Sequence, residues 1–290
     1  MLELHDKQVV TFPGTAEVAM AIAQGEGTLD ATQTGAMSLA PGPAGADGFP
    51  QAELIHERRA RAEAERAMRL RDEMLALVVH DLRNPLNTIS LAAQLLEEGR
   101  LDATARRAHA RTIERCARGM AHLIDDLLDV STIDAGAFRI RRARVALDVL
   151  LSRLRADFSA RAADGEVRLR CTAQRDLPRI RGDTQRLYQV LSNLVANALK
   201  VVGPGGRIDV DAQRIADHVQ IDVCDNGPGM EPDVLQHAFD RFWHADRTGR
   251  AGSGLGLYIC KGIIEAHRGH IEVESAPGAG TTFHVQLPIT

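Results

Sequence analysis

The sequence predicts an α+β protein in two folded parts: a helical hairpin forming a dimeric four-helix bundle, followed by an α/β sandwich with a mixed sheet. Three observations carry this. A helical period of apolar residues runs from about residue 51 to residue 136, and after Arg144 the texture changes to alternating helices and strands. Aromatic residues make up only 3% of the chain, so the core must rest on Leu, Val, Ile and Ala, which suits helix packing. A length of 290 residues holds two domains.

Composition excludes several classes. With 44% hydrophobic and 26% charged residues, wholesale disorder is ruled out. A formal net charge of −4 leaves no electrostatic footprint for nucleic acid. No apolar run approaches the roughly 20 residues that a membrane span needs, so no direct membrane insertion is expected. Val18 to Ala23 is short and lacks the basic flank of a signal peptide. Cys116, Cys171, Cys224 and Cys260 lie far apart and read as small buried hydrophobes of a reducing, cytoplasmic compartment.

Residues 1–50 accumulate Gly, Ala and Pro and carry no strong period, as in a flexible lead-in. A charge-rich helix begins near Gln51, and its stretch over 51–77 reads as a signalling coiled coil. The apolar positions Val78, Leu82, Leu86, Ile89, Ala93 and Leu96 continue it to a stop at Gly99. Asp102 can cap a second helix, striped by Ile113, Ala117, Met120, Ile124 and Leu127 and ending near Gly136. Such a hairpin cannot bury its apolar face alone, so a second copy is expected, making a homodimer. A hinge over 137–144 leads to the sandwich at 145–290. There the pattern predicts helices near 146–163, 183–200 (capped by Asp183), 231–238 and 255–268. Strands are expected near 166–171, 206–213 and 218–225, with a closing hairpin near 270–288.

The first chemical signal is His80-Asp81-Leu82-Arg83-Asn84-Pro85-Leu86. At 100° per residue His80 lies roughly 160° from the centre of the apolar arc and so points to solvent, with Asn84 one turn later on the same face. A solvated imidazole beside the Asp81 carboxylate is a workable nucleophile. Alone, it reads first as an ordinary surface histidine, one of 11 in the chain.

The second half adds four pieces. Asn193 and Asn197 sit four apart on one helical face, where amide oxygens suit Mg²⁺ bound to phosphates, and Lys200 lies three further on. Asp225-Asn226-Gly227-Pro228-Gly229 follows a strand; its carboxylate can accept from an amine, while Gly227 and Gly229 admit close backbone approach. Phe239-Asp240-Arg241-Phe242-Trp243 precedes a Gly- and Arg-rich loop, His244 to Gly252, of the kind that closes over phosphates. Gly252-Ser253-Gly254-Leu255-Gly256 opens a helix and can bind an anion through its N–H groups, without being a Walker A loop. Taken singly, each piece also reads as a polar helix face or an ordinary turn.

Together these strings resemble the bacterial sensor histidine kinases: the phosphoacceptor box, then the N, G1, F and G2 boxes of the catalytic domain in order, over about residues 65–290. The resemblance implies a dimerisation and phosphoacceptor domain over 66–136 and an ATP-binding domain of the Bergerat or GHKL type, the fold shared with gyrase, heat-shock chaperone and mismatch-repair ATPases. It implies that His80 accepts phosphate from ATP, that Asp81 acts as base, and that Asn84 positions a water for dephosphorylating a response-regulator receiver domain. It assigns Asn197 to Mg²⁺ and Asn193 to support at the phosphates, with Lys200 on phosphate and Asp225 on the adenine amine. Gly227 and Gly229 line the nucleotide, and Gly252, Ser253, Gly254, Leu255 and Gly256 form the lid hinge and phosphate turn. Arg241 is the favoured lid-side cation beside Phe242, ahead of Arg247. Two departures stand out: Val201 occupies a position where the family often places an aromatic, and the lid is short. The implied activity is autophosphorylation of His80 and transfer to an aspartate of a separate regulator. The alternatives are a response-regulator phosphatase, a non-catalytic dimeric scaffold, and a gyrase-type ATPase.

Overall fold

A computed structural model describes residues 8–10, 61, 78–99, 101–243 and 254–289. The expected coiled coil over 51–77 lies outside these residues, Arg61 excepted. Two compact units are present, Val18–Met120 and Met1–Glu17 with Ala121–Thr290, and their boundary falls within one long helix.

In the first unit, helix α1 covers 78–97 and passes through Pro85 without a break. It stops at Gly99, whose φ of +67° is a backbone conformation glycine adopts without strain. Asp102 then accepts the Ala105 N–H at 2.7 Å, capping α2 (Ala103–Asp134) as its sequence position predicts. Leu86 and Leu91 on α1 are 51% and 59% exposed, so apolar surface of the helix stays uncovered in the single chain.

The second unit is the sandwich. After α2 come β2 (Ala143–Val145), α3 (Leu147–Asp164), β3 (Arg168–Ala173), β4 (Ile180–Gly182), α4 (Thr184–Val201), β5 (Arg207–Ile215) and β6 (His218–Asp225). The short α5 (Pro232–Gln236), α6 (Gly256–Ala266), β7 (His270–Ser275) and β8 (Thr281–Pro288) complete it. A strand β1 (Gln8–Val10), from the segment expected to carry no element, pairs antiparallel with β7. The large sheet runs β1-β7-β8-β6-β5-β3, with β3 and β5 parallel and every other pairing antiparallel. The mixed sheet is therefore as anticipated.

Its core follows the two periods. Val219, Ile221 and Val223 alternate inward on β6, as do Ile271 and Val273 on β7 and Phe283, Val285 and Leu287 on β8. They share one buried cluster with Leu150, Leu151 and Leu154 of α3, Leu187, Leu191 and Leu194 of α4, and Ile259 and Ile263 of α6. The other sheet face carries Gln220, Asp222, His284 and Glu274, none of them buried. Among the thiols, burial pushes Cys171 up to about 11 and Cys260 up to about 12, so both stay protonated.

A polar knot fixes the start of α4. One Asp183 carboxylate oxygen accepts the Gln185 and Arg186 N–H groups at 3.0 and 3.2 Å, and the other accepts the Arg141 N–H at 2.9 Å. The Asp183 N–H donates to His267 Nε2 at 2.8 Å, while His267 Nδ1 donates to the Ile263 carbonyl at 2.7 Å. Gly182 leaves room for the ring, because a Cβ there would meet His267 Cδ2 at 2.8 Å. Burial lowers the His267 pKa, since its proton would add charge in a confined site. The sign follows: a depressed histidine stabilises the fold above its unfolded value, near 6.5, and loses that contribution as pH falls. Thermal unfolding across pH 7.5 to 5 should therefore show a decline in melting temperature that His267→Gln flattens. An identical slope in the variant would remove the knot from the acid response.

Candidate functional site

In the first unit, His80 is 69% exposed on α1, on the face that the helical period predicts. Its Nδ1 lies 3.4 Å from Asp81 Oδ1 and 3.5 Å from Asn84 Nδ2, the latter one helical turn away. A proton on Nδ1 directed at Asp81 leaves the Nε2 lone pair facing water. In that tautomer the Asp81 carboxylate holds one ring edge, the Asn84 amide nitrogen lies near it without bonding, and the other edge is open to an electrophile.

In the second unit the residues expected to bind nucleotide fall on α4, the end of β6 and the start of α6. Asn193, Asn197 and Lys200 follow one another along α4. Gly256, the first residue of α6, faces Asn193, since a Cβ on it would stand 3.6 Å from the Asn193 amide nitrogen. That nitrogen is buried, with the Cys260 thiol close enough to Asn193 to interact with its side chain. Asn197 is half-buried, and at Lys200 desolvation and the nearby Arg161 both hold the ammonium below the ordinary lysine range.

Asp225 occupies an inward position at the end of β6, where the alternation would place a hydrophobe, and it is only 6% exposed. Its Oδ1 accepts the Gly227 N–H at 2.8 Å, which turns the chain away from the sheet. Val201, at the departure from the family pattern, lies against this turn: a Cβ on Gly227 would meet its Cγ2 at 3.3 Å. Gly229 has φ +71°, and a Cβ there would overlap the Ala276 carbonyl. Replacing Gly229 with Ala should cost about 2–4 kcal/mol, read as a lowered denaturation midpoint, because strained φ and backbone overlap act together. Unchanged stability would mean that the turn can relax.

Thr281 was missed from sequence. It lies directly opposite Asp225 in the β6–β8 register and is buried, with its hydroxyl 3.0 Å from Ser275 Oγ. Ser275 in turn donates to the Gly280 carbonyl at 2.9 Å and accepts the Met230 N–H at 2.9 Å. The available signal was a second Gly-rich turn, Gly278-Ala279-Gly280-Thr281, just before the last strand.

Gly252 and Ser253, with Arg247 and the rest of the loop over 244–253, lie outside the described residues. Its two ends meet: Phe242 N–H donates to the Gly254 carbonyl at 3.0 Å, with Phe242 at φ +58° and Gly254 at φ +65°. Leu255 is fully buried and anchors the start of α6. The Arg241 guanidinium pairs with Asp134 in the last turn of α2 and sits 5.5 Å from the Tyr258 ring centre. Tyr258 donates to the same carboxylate at 2.5 Å, and burial together with that bond pushes its hydroxyl up to about 12. Nearby, Asp129 is buried and accepts from Arg186 at 2.5 Å and Gln189 at 2.9 Å.

The helical part and the sandwich match the two parts of a class of protein that joins a phospho-acceptor domain to an ATPase-type domain. Comparison with known proteins agrees. Residues 70–136 match the His Kinase A (phospho-acceptor) domain, and residues 182–290 match the histidine kinase-, DNA gyrase B- and HSP90-like ATPase domain. The chain is 32% identical over 273 residues to the adaptive-response sensory kinase SasA of Synechococcus sp. (strain JA-2-3B'a(2-13)), covering 92% of this chain and 72% of that protein. It is 38% identical over 240 residues to the sensor protein DivL of Caulobacter vibrioides, covering 83% of this chain but spanning only 30% of that relative's length. Among solved structures, full-length ShkA in complex with AMPPNP aligns at a TM-score of 0.57 and 29% identity, over 75% of this chain and 45% of that one. The chain belongs to the sensor histidine kinase family.

Proposed function

We propose that the chain is an ATP-dependent protein histidine kinase that phosphorylates its own His80 and passes the phosphoryl group to an aspartate of a response-regulator receiver domain. The observation that carries this reading is the His80 face. An exposed imidazole has Nδ1 turned to Asp81 and Nε2 open, in a chain that sets Gly256 of α6 against Asn193 of α4 and ends β6 on the buried Asp225.

In the forward step the His80 Nε2 lone pair forms a P–N bond to the γ-phosphorus as the β–γ bridging P–O bond breaks, its electron pair leaving with ADP. Asp81 takes the Nδ1 proton, so the ring ends neutral. The remaining work is positioning and charge stabilisation. Asp225 accepts from the adenine amine, with Thr281 behind it, and Gly227 and Gly229 admit the ring. Asn193 gives polar support at the phosphates, Lys200 approaches from the last turn of α4, and Gly252, Ser253, Gly254, Leu255 and Gly256 are assigned to the phosphate turn. Asn197 fits Mg²⁺ as a half-buried amide oxygen donor with no hydrogen-bond partner among the described residues. Bound there, the ion would draw charge off the phosphoryl oxygens. Arg241 joins the phosphates once it leaves Asp134, and Phe242 fixes the base of the lid.

The uncovered Leu86 and Leu91 support a homodimer, with 66–136 as dimerisation domain, 137–144 as hinge and 145–290 as catalytic domain. A cytoplasmic setting fits the protonated thiols. Among the described residues no helix is long and apolar enough to cross a membrane. The test is incubation with γ-labelled ATP and Mg²⁺, followed by acid and alkali treatment. Acid-labile, alkali-stable label is expected, and a folded dimer that binds ATP but takes up no label would overturn the kinase reading.

One observation favours a second activity, dephosphorylation of the regulator: the Asn84 amide reaches the same ring edge as Asp81. Asn84→Ala should leave autophosphorylation within about twofold while slowing loss of the regulator's phosphate by about tenfold or more. An unchanged rate of phosphate loss would exclude that role.

A further inference from the structure

The small ribbon β2–β4 carries an arrangement that neither the phosphoacceptor nor the nucleotide site uses. Val145 and Ile180 are directly opposite and both face the core at 1% exposure. Alternation then sends the next opposite pair, Arg144 and Arg181, outward, and Arg142 and Arg179, just before each strand, flank them. All four are exposed. With Ala143 they line an open depression of about 470 Å³.

Like charges directly opposite on a ribbon repel, their Cβ atoms standing about 4.5–5.5 Å apart. Elsewhere the chain neutralises such arginines: Arg170 and Arg207 share Asp209, and Arg186 meets Asp129. Arg144, Arg179 and Arg181 have no ion-pair partner among the described residues, and Arg142 donates only to the Ala266 carbonyl at 3.3 Å. A protein of net charge −4 thus concentrates four guanidinium groups in one concavity, none of them in an ion pair among the described residues.

We propose that this depression binds a soluble anion carrying two or more phosphate groups. Guanidinium forks match phosphate oxygens in pairs, and four of them in a space of this size suit a small polyphosphorylated molecule better than a single phosphate. The site is separate from the nucleotide site. It lies beside the start of α4, whereas Asn197 is thirteen residues along that helix, about 20 Å away at 1.5 Å per residue. The proposal does not depend on the kinase reading.

The test is calorimetric titration of the full chain with inorganic tripolyphosphate, comparing wild type with Arg144→Gln/Arg181→Gln and, as a milder change, Arg179→Gln. Arg170→Gln removes an arginine that is already paired and serves as control. Saturable binding is expected in wild type and the control, falling at least tenfold in the double variant and severalfold in Arg179→Gln, and weakening with added salt. The unliganded double variant should melt no lower than wild type, since the substitutions relieve repulsion. No binding by folded wild type, or equal affinity in the double variant and wild type, overturns the proposal. Binding confined to vesicles that carry phosphoinositide headgroups, with none to tripolyphosphate, overturns it as well.

Discussion

Replacing His80 with Gln should abolish phosphoryl incorporation, a loss of at least about a thousandfold, while leaving ATP affinity within about twofold of wild type. Gln keeps polarity and approximate size but offers no nitrogen lone pair able to form the P–N bond, and no neighbouring group substitutes for one. The side chain is 69% exposed, with only the Asp81 and Asn84 contacts to lose, so melting temperature should stay within a degree or two. Asn193, Asn197, Asp225 and Gly256, assigned to nucleotide, sit on α4, β6 and α6 of the other unit. Label persisting in the variant at wild-type stoichiometry would move the acceptor to another of the 11 histidines.

Asn197→Asp should also lose labelling, by about a hundredfold or more, for a different reason. The amide oxygen is a neutral hard donor on a half-buried helix face, one turn beyond Asn193 and three residues before Lys200. A carboxylate there adds a negative charge beside the phosphates and competes for Lys200, so the geometry around Mg²⁺ and the triphosphate is disturbed together. Nucleotide affinity should fall and become steeply dependent on Mg²⁺ concentration, which a titration with a fluorescent ATP analogue would show. Normal labelling would take Asn197 out of the metal site.

Much of this was legible without coordinates because the signals are local. The helix boundaries follow from side chains that bond their own neighbours: Asp102 to Ala105, Asp183 to Gln185 and Arg186, and Gly99 and Gly136 at positive φ. The outward aim of His80 follows from the period of α1 alone. So does the inward alternation of β6, which makes the buried Asp225 stand out as a polar residue in an apolar series. Three-residue strands are a different matter. β1, β2 and β4 are too short for alternation to register, and they exist because a partner strand completes their hydrogen bonds.

The sequence by itself determined the phosphoacceptor helix, the order of the nucleotide boxes and the mixed sheet, since caps, turns and burial periods act over a few residues. Only the tertiary structure decided what distant residues meet. It set Thr281 behind Asp225, Gly256 against Asn193 and Asp134 onto Arg241 and Tyr258. It also set Arg144 opposite Arg181, a register imposed when Val145 and Ile180 bury themselves side by side. Such pairings depend on which apolar faces close together, and that free energy belongs to the whole core rather than to any one segment.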